Sequence, residues 1–233
     1  MTIRHRMTVR ATVSVLMAAV WVFPGAVRAQ EVGPPRGALV IVGGAMRDPA
    51  IVERFIRLAG GPQAPIVVIP TAGGAETYDQ YYPGLRAFTE VGATDLTVLH
   101  TTDRKEANSE AFVEPLRRAR GVWFPGGRQW RLADAYLDTR VHEELRGVLN
   151  RGGVVGGSSA GATILGSYLA RGDSATNTIM MGDHEVGLGF LRNVAIDQHL
   201  LRRNRQFDLL EVIEARPDLL GIGLDEDTAI VVQ

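Results

Sequence analysis

The sequence predicts a single α/β domain with a mostly parallel central sheet and helices on both of its faces. Short apolar runs alternate with amphipathic segments along the chain, which favours strand–helix–strand units. The first run, residues 38–42, is apolar throughout and ends at Gly43-Gly44, as expected of a strand buried on both faces. The 233 residues, 45% of them hydrophobic, suffice for one substantial core, and no internal linker divides residues 37–233.

The predicted elements follow one another in a regular order. The strands are residues 38–42, 66–69, 96–99, 122–124, 154–155 and 194–196, and the helices are residues 49–59, 81–91, 109–118, 141–149 and 160–169. Right-handed crossovers place helices on both faces of a parallel sheet, and binding loops then gather at the carboxyl ends of its strands. We therefore expect functional loops to begin at Gly43, Pro70, Pro125 and Gly157.

The N-terminus has the features of a secretory signal. Three arginines in the first ten residues precede an almost wholly apolar stretch, residues 11–23, and residues 27–29 offer a cleavage site. The predicted organisation is a signal peptide over residues 1–29, a linker over residues 30–36 and one α/β domain over residues 37–233. Secretion or export to the periplasm follows. An uncleaved anchor is the alternative, although the apolar stretch is too short to span a bilayer comfortably.

The composition excludes several classes of function. A formal net charge of −1 provides no strong field for nucleic acid or an anionic membrane. The chain has no cysteine, which excludes disulfides, a cysteine nucleophile and thiolate metal ligands. No zinc-type histidine spacing occurs either, so we expect neither a metal nor an organic cofactor.

The most informative stretch, residues 152–167, contains the G-x-S-x-G motif Gly157-Ser158-Ser159-Ala160-Gly161. The motif follows a β-branched run and precedes a good helix former, which is the strand–turn–helix setting of a nucleophile elbow. Ser159 is therefore the candidate nucleophile. A close-packed Gly–Ser turn without chemistry is the alternative for the motif taken alone.

A second glycine-rich loop follows the predicted strand at residues 122–124. Gly126-Gly127 can present a backbone amide to a developing oxyanion. If this loop lies beside the nucleophile, the amide near Gly127 supplies one donor and that of Ala160 the other. The alternative is a glycine-rich turn in which Gln129 caps the next helix.

A serine nucleophile needs a base, and usually an acid that orients the base. We favour His199, because it follows an apolar strand at the carboxyl end, where α/β sites are built, whereas His184 lies in a predicted loop. Spacing alone leaves the acid open. The candidates are Asp173, Asp183, Glu185, Asp197 and the cluster Asp225-Glu226-Asp227.

Arg202, Arg203 and Arg205 form the densest positive cluster of the predicted mature chain. Arginine binds carboxylates through two parallel hydrogen bonds, so the cluster indicates an acidic substrate. The alternative is a solvated helix face paired with Asp208 and Glu211.

Four motifs occur together, in one order, from about residue 38 to the end of the chain. They are Pro-Gly-Gly-x-Gln at 125–129, Gly-Gly-Ser-Ser-Ala-Gly-Ala around Ser159, Ile-Asp-Gln-His at 196–199 and Gly-Ile-Gly-Leu-Asp-Glu-Asp-Thr-Ala at 221–229. Jointly they resemble the cyanophycinases, which belong to the S51 serine peptidases together with the aspartyl dipeptidases.

The resemblance implies a class I glutamine amidotransferase-like, flavodoxin-like three-layer fold and an exopeptidase that hydrolyses β-aspartyl-arginine linkages. It implies Ser159 as nucleophile, His199 as base and Asp173 as acid. The implied substrate contacts are Gln129, Asp197, Gln198, Arg203 and Arg205. A peptide with an acidic or β-aspartyl group is the expected partner, and a homodimer is one option for assembly.

Three positions depart from the family pattern. Arg128 replaces an acidic residue, Asp208 stands where an arginine is expected, and the acid is Asp173 where cyanophycinases use Glu. The chain also stops within an apolar strand at residues 231–233, whereas family members usually continue, so we interpret it as a truncated product.

Three other functions remain open at this level. They are an aspartyl dipeptidase, an esterase-like serine hydrolase and a non-catalytic exported peptide-binding protein on the same scaffold. The esterase is disfavoured because esterase triads usually place the histidine near the chain end, whereas His199 follows Ser159 closely.

Overall fold

The computed structural model describes residues 32–233, in which strands and helices alternate. The predicted signal peptide and the first two residues of the predicted linker lie outside the described residues. The strands are β1 (Ala38–Val42), β2 (Ile66–Val68), β3 (Leu96–Val98), β4 (Gly121–Phe124), β5 (Val154–Ser158), β6 (Gly166–Tyr168), β7 (Leu191–Gln198), β8 (Leu220–Leu224) and β9 (Ala229–Val232). The helices are α1 (Pro49–Ala59), α2 (Arg86–Thr89), α3 (Arg104–Ala107), α4 (Glu110–Arg118), α5 (Gln129–Tyr136), α6 (Arg140–Asn150), α7 (Ala160–Thr163) and α8 (Asp208–Ala215).

Six strands form the central sheet, in the order β3-β2-β4-β5-β1-β9. Five of them run parallel, and β9 runs antiparallel beside β1. The predicted mostly parallel sheet is therefore confirmed. Because β4, β5 and β1 are parallel neighbours, the loops that follow them lie side by side at one edge of the sheet.

Both faces of this sheet are covered. Along β1, Leu39 and Ile41 pack into one apolar cluster with helices α4 to α7, whereas Ala38, Val40 and Val42 pack into another with α1 and α2. Successive side chains of a strand point to opposite faces, so each face receives its own set. All five residues are buried, which confirms the three-layer architecture.

Helix α1 illustrates how local signals set the boundaries of an element. The Asp48 carboxylate accepts a hydrogen bond from the Ala50 amide at 2.9 Å, and Pro49 occupies the first helical position. Gly60 ends the helix with a left-handed backbone. The predicted range, residues 49–59, is confirmed. By contrast, only Arg86–Thr89 of the predicted helix over residues 81–91 is α-helical.

The largest departure from prediction concerns residues 160–169, which were expected to form one helix. Helix α7 ends at Thr163, and Gly166–Tyr168 forms β6, which pairs with β7. Strand pairing across a long sequence separation outweighs local helix propensity here. The result is a second, three-stranded parallel sheet in the order β6-β7-β8, which the sequence did not predict.

The small sheet carries the predicted strand that ends at His199. Helix α8 packs against this sheet, with Leu209 and Val212 contacting an apolar cluster that includes Ala195 of β7. The chain then passes from β8 in the small sheet to β9 in the central sheet through residues 225–228. Among the described helices, none is both long enough and apolar enough for a membrane crossing.

Candidate active site

Ser159 occupies the sharp turn between β5 and α7. Its backbone angles, φ 56° and ψ −116°, are rare for a residue with a side chain. The Ser159 amide donates to the Val42 carbonyl at 3.0 Å, which fixes the turn against β1, and the residue is only half-buried. The structure therefore has the strand–turn–helix geometry of a nucleophile elbow.

The two glycines of the motif are required by close contacts around this turn. A Cβ atom on Gly157 would overlap the carbonyl oxygen of Gly161, and one on Gly161 would overlap the carbonyl oxygen of Phe124. No side chain can therefore be accommodated at either position without a backbone shift.

His199 reaches the nucleophile from the end of β7. Its Nε2 atom lies 2.9 Å from the Ser159 Oγ atom. The His199 amide donates to the Gly43 carbonyl at 2.9 Å, and the ring packs so closely against Gly44 that a Cβ atom there would overlap the imidazole. The predicted base therefore lies within hydrogen-bond reach of the predicted nucleophile.

The carboxylate that contacts His199 belongs to Glu226, in the connection between β8 and β9. Its Oε1 atom lies 2.8 Å from the His199 Nδ1 atom. In the tautomer that fits both contacts, Nδ1–H donates to Glu226 and Nε2 accepts the proton of the Ser159 hydroxyl. The three side chains thus form one hydrogen-bonded Ser–His–Glu chain.

Asp173, the acid that the family resemblance implied, lies elsewhere. Its carboxylate accepts from the Thr176 amide at 2.5 Å, and its backbone carbonyl accepts from Arg128 at 2.6 Å. These contacts stabilise the loop after β6, and the acceptor of the His199 Nδ1–H hydrogen bond is Glu226 instead. The structure therefore contradicts Asp173 as the carboxylate partner of His199 and has Glu226 in that position, one of the candidates that spacing alone left open.

The surroundings of His199 keep its imidazole neutral. Burial lowers the pKa of His199 below its ordinary value, the hydrogen bond to Glu226 opposes this, and the nearby Arg203 cation lowers it further. A histidine with a lowered pKa is unprotonated at neutral pH. It can then accept the proton of a nucleophile, which is the state that a general base requires.

The glycine-rich loop after β4 lies next to Ser159, which is the condition that the oxyanion hypothesis requires. Gly126 faces Ser159, and a Cβ atom there would stand 3.3 Å from the Ser159 Cβ atom. Gly127, with φ 146°, packs against the Ala72 carbonyl. Ala160 is the first residue of α7, so its amide has no acceptor within the helix. The two predicted oxyanion donors, Gly127 and Ala160, thus belong to segments that adjoin Ser159.

Most of the predicted substrate contacts are engaged with other protein groups. Asp197 is 1% exposed, and its two carboxylate oxygens accept from Arg171 at 2.8 and 3.0 Å. Arg205, also buried, donates to the backbone and side-chain oxygens of Gln198 at 3.1 and 3.2 Å. Burial and the Arg171 cation lower the pKa of Arg205. These residues form a closed polar cluster at the end of β7.

Arg171 connects this cluster to neighbouring segments. Its guanidinium also contacts the Asp208 carboxylate at the start of α8, and the buried Gln129 donates to the carbonyls of Ala170 and Arg171 at 2.8 Å each. Asp208, which departs from the family pattern, is thus an ion-pair partner of a buried arginine. Among the five predicted contacts, Gln129, Asp197, Gln198 and Arg205 are buried.

Arg203 differs from the other four because it is exposed. Its amide donates to the His199 carbonyl at 2.9 Å, and its charge lies close enough to lower the pKa of His199. Within residues 32–233, its guanidinium has no ion-pair partner. Arg203 therefore presents an available positive charge beside the base.

His184, the alternative base, is held between two carboxylates. Its Nε2 atom lies 2.9 Å from Asp134, and its Nδ1 atom lies 3.0 Å from Asp183. Burial alone would lower the pKa of His184, but the hydrogen bonds to Asp183 and Asp134 raise it overall. These partners favour the protonated form, which cannot accept a proton, so the geometry favours His199 as the base.

One feature of the sequence points to Glu226 among the candidate acids. Glu226 follows an apolar run, residues 220–224, in the way that His199 follows its own strand. No comparable pattern points to Gly44 or Arg171, because their contacts come from segments that are distant in sequence. In the described part of the chain, no three His, Asp or Glu side chains are grouped to hold a metal ion.

With this geometry established, comparison with known families defines the class of protein. The model of peptidase family S51 matches residues 39–233, which include both sheets and all three side chains of the Ser–His–Glu chain. The chain belongs to peptidase family S51 and is a serine peptidase. This membership favours a peptidase over the esterase-like and non-catalytic alternatives.

Curated relatives indicate which members of the family this chain resembles. The chain is 35% identical over 206 residues to a cyanophycinase of Geminocystis herdmanii, a match that covers 85% of this chain and 75% of the relative. It is also 35% identical over 206 residues to a cyanophycinase of Synechococcus elongatus, covering 85% of this chain and 63% of that relative. A cyanophycinase of a Nostoc species is 34% identical over 205 residues. The chain thus spans between about three fifths and three quarters of the length of these relatives.

Two solved structures share the fold. A peptidase from an acI-B1 Actinobacterium superposes with a TM-score of 0.67 at 24% identity, covering 86% of this chain and 85% of that one. A putative peptidase E protein from Listeria monocytogenes gives a TM-score of 0.54 at 19% identity, covering 84% and 98%. These likenesses agree with the α/β architecture described above.

Proposed function

We propose that this chain is a cyanophycinase-like serine exopeptidase that hydrolyses β-aspartyl-arginine or related acidic peptide bonds. The observation that carries the proposal is the hydrogen-bonded chain of Ser159, His199 and Glu226 on the nucleophile elbow of an S51 peptidase. The similarity to cyanophycinases supports the substrate class. The exposed Arg203 supports a preference for an acidic group beside the scissile bond.

In the acylation half of the reaction, the Ser159 Oγ atom attacks the carbonyl carbon of the substrate. His199 Nε2 takes the hydroxyl proton, and Glu226 stabilises the imidazolium that forms. The amides of Gly127 and Ala160 are the proposed donors to the oxyanion. When the intermediate collapses, the carbon–nitrogen bond breaks, and His199 gives its proton to the leaving amine.

In the deacylation half, water replaces the amine. His199 accepts a proton from water, the resulting hydroxide attacks the acyl-enzyme ester, and the ester bond to Ser159 breaks. The proton returns to the Ser159 oxygen, and the acid product leaves. Each half of the reaction needs the neutral imidazole at its start, which the lowered pKa of His199 supports.

Arg203 is the proposed recognition residue for the acidic group. A guanidinium binds a carboxylate through paired hydrogen bonds, and Arg203 has no competing ion-pair partner among residues 32–233. The buried residues Gln129, Asp197, Gln198 and Arg205 then support the strand end that carries His199. Direct contact with substrate would first require this cluster to open.

Export and assembly are also part of the proposal. The basic start and apolar stretch of residues 1–23 support cleavage near Gln30 and a periplasmic or extracellular location. N-terminal sequencing of protein recovered from the periplasm and the medium tests this. A homodimer remains an option, and sedimentation of the purified chain measures it.

The proposal is tested with a pair of isomeric dipeptides, β-Asp-Arg and α-Asp-Arg, which differ only in which carboxyl group forms the peptide bond. Release of free arginine is followed by mass spectrometry. We expect cleavage of the β isomer and much slower cleavage of the α isomer. Faster cleavage of the α isomer would contradict the proposed β-aspartyl preference and favour an aspartyl dipeptidase activity.

Two variants serve as controls for this experiment. Ser159→Ala removes the nucleophile, whereas Ser158→Ala makes the same change one residue earlier, outside the proposed triad. Turnover of the β isomer should vanish in the first and persist in the second. Turnover that survives in Ser159→Ala would rule out the proposed chemistry.

A further inference from the structure

The connection that carries Glu226 is fixed on both sides by carboxylates. Asp225 accepts hydrogen bonds from the amides of Leu201 and Arg202 at 3.0 Å each, and these residues follow His199. Asp227 binds a different segment, the loop between β1 and α1. The acid of the proposed triad thus lies between two anchored neighbours.

The β1–α1 loop, residues 43–48, also holds the base. The Gly43 carbonyl accepts the His199 amide at 2.9 Å, and Gly44 packs against the imidazole ring. The Gly44 carbonyl accepts the Asp227 amide at 2.8 Å. One loop therefore contacts both the histidine and the segment that carries its carboxylate partner.

The Asp227 carboxylate adds a second connection between that segment and the loop. Its Oδ1 atom accepts from the amides of Arg47 and Asp48 at 2.8 Å each. The Arg47 side chain closes the arrangement by donating to the Glu226 Oε2 atom at 3.2 Å. Arg47 is largely exposed, and a surface ion pair contributes little, so the main side-chain fixation comes from Asp227 and the two backbone amides.

From this arrangement we propose that Asp227 is a positioning residue: by binding the amides of Arg47 and Asp48, its carboxylate holds Glu226 against His199. The inference deepens the proposed function and rests on the Ser159–His199–Glu226 triad. A displacement of about 1 Å in a catalytic group can cost about 100-fold in rate, so such fixation matters for chemistry.

The ionisation state of Asp227 agrees with this role. Hydrogen bonds from the amides of Asp48 and Arg47 lower the pKa of the Asp227 carboxyl. A carboxyl with a lowered pKa stays ionised at neutral pH and loses its charge only as the pH falls through that lowered value. At neutral pH both carboxylate oxygens of Asp227 are therefore unprotonated, and Oδ1 can accept both amides.

Two substitutions separate the hydrogen bonds from the backbone geometry. Asp227 has φ 57°, a left-handed conformation that Asn and Gly tolerate. Asp227→Asn keeps an oxygen acceptor, whereas Asp227→Gly removes it without adding strain. Asp103→Gly is the matched control, because the Asp103 carboxylate likewise accepts a backbone amide, that of Lys105 at 2.8 Å, at a different place in the fold.

The readout is the rate at which a fluorophosphonate labels Ser159, measured by intact-protein mass. In this reaction the Ser159 oxygen bonds to phosphorus, the phosphorus–fluorine bond breaks, fluoride leaves, and the hydroxyl proton passes to His199. We expect Asp227→Gly to label about 10-fold more slowly. Asp227→Asn and Asp103→Gly should label close to the unmodified rate.

A second readout, the pH titration of the His199 ring by NMR, does not depend on reactivity. Because the Glu226 contact opposes the lowering of the His199 pKa, loosening it in Asp227→Gly should lower that pKa further. Unchanged labelling and titration in Asp227→Gly would overturn the inference. Equal slowing in Asp103→Gly, or in Asp227→Asn, would also overturn it, by indicating general destabilisation or a charge effect.

Failure of the proposed function would look different. If neither Asp-Arg dipeptide is cleaved while labelling and titration respond as expected, the substrate assignment fails and the positioning role stands.

Discussion

The nucleophile half of the site and the base–acid half are built in different ways. Ser159 belongs to the central sheet, and a few neighbouring residues determine its turn through the close contacts of Gly157 and Gly161. His199 belongs to the small sheet, and Glu226 lies on the connection between the sheets. The first half depends on local sterics, whereas the second depends on how two sheets are held together.

The difference shows which half is more sensitive to distant changes. The nucleophile turn is set mainly by five consecutive residues, with the carbonyls of Val42 and Phe124 as its contacts in the adjacent strands. The pairing of His199 with Glu226 requires the β1–α1 loop, the end of β7 and the β8–β9 connection to meet. Substitutions remote in sequence should therefore disturb the base–acid half more readily.

Removal of the nucleophile is the largest effect that we expect. Ser159→Ala should lower kcat by at least about 10,000-fold, because it removes the oxygen proposed to form the acyl-enzyme. The change leaves the β5–α7 turn otherwise intact, and kcat on the β-Asp-Arg dipeptide measures it. A decrease in kcat of less than about tenfold would mean that Ser159 is not the nucleophile.

Exchange of the acid tests the other half. Glu226→Gln should lower kcat by about 1,000- to 10,000-fold, because the amide cannot stabilise the imidazolium and favours the wrong histidine tautomer. Asp173→Asn makes the equivalent change in the loop after β6 and should leave kcat nearly unchanged. If the two variants exchanged these phenotypes, the corrected acid assignment would be wrong.

The charge beside His199 affects the pH profile rather than the maximal rate. Because the base acts in its neutral form, kcat/KM should fall as the pH drops through the lowered pKa of His199. Arg203→Gln removes a cation that lowers this pKa, so the acid limb should move to higher pH. KM for the acidic dipeptide should also rise.

Arg202→Gln is the control for that measurement, since it removes the same charge from a neighbouring exposed residue. Its acid limb should move less than that of Arg203→Gln. If the acid limb shifted equally in both variants, the shift would reflect the overall positive charge of this surface, and Arg203 would have no specific role.

The smallest effect is expected at His184. His184→Asn should retain nearly full kcat/KM and the same acid limb, because this ring is bound between Asp134 and Asp183. Steady-state kinetics across the acidic pH range measure both quantities. If His184→Asn lost as much activity as Glu226→Gln, His184 would again be a candidate for the base.

The local half was largely predictable from the sequence. The G-x-S-x-G motif specifies a turn that only glycines permit at its flanks, so Ser159 could be identified without tertiary information. The boundaries of helix α1 are predictable in the same way, because Asp48, Pro49 and Gly60 are signals at the ends of the helix itself.

The long-range half was predictable only in part. His199 follows its own strand, so its position at a strand end was visible in the sequence. The partner carboxylate was not, because the choice between Asp173 and Glu226 depends on how residues 225–228 pass between the sheets. Strand β6 was missed for the same reason, since residues 166–168 become a strand only by pairing with β7.

The most direct test of the account is fluorophosphonate labelling of the unmodified protein, Glu226→Gln and Asp173→Asn, with the modified residue located by peptide mass spectrometry. It requires no knowledge of the natural substrate. The account predicts a single adduct on Ser159, formed at the same rate in Asp173→Asn and far more slowly in Glu226→Gln. An adduct on another residue, or slow labelling in Asp173→Asn with normal labelling in Glu226→Gln, would contradict it.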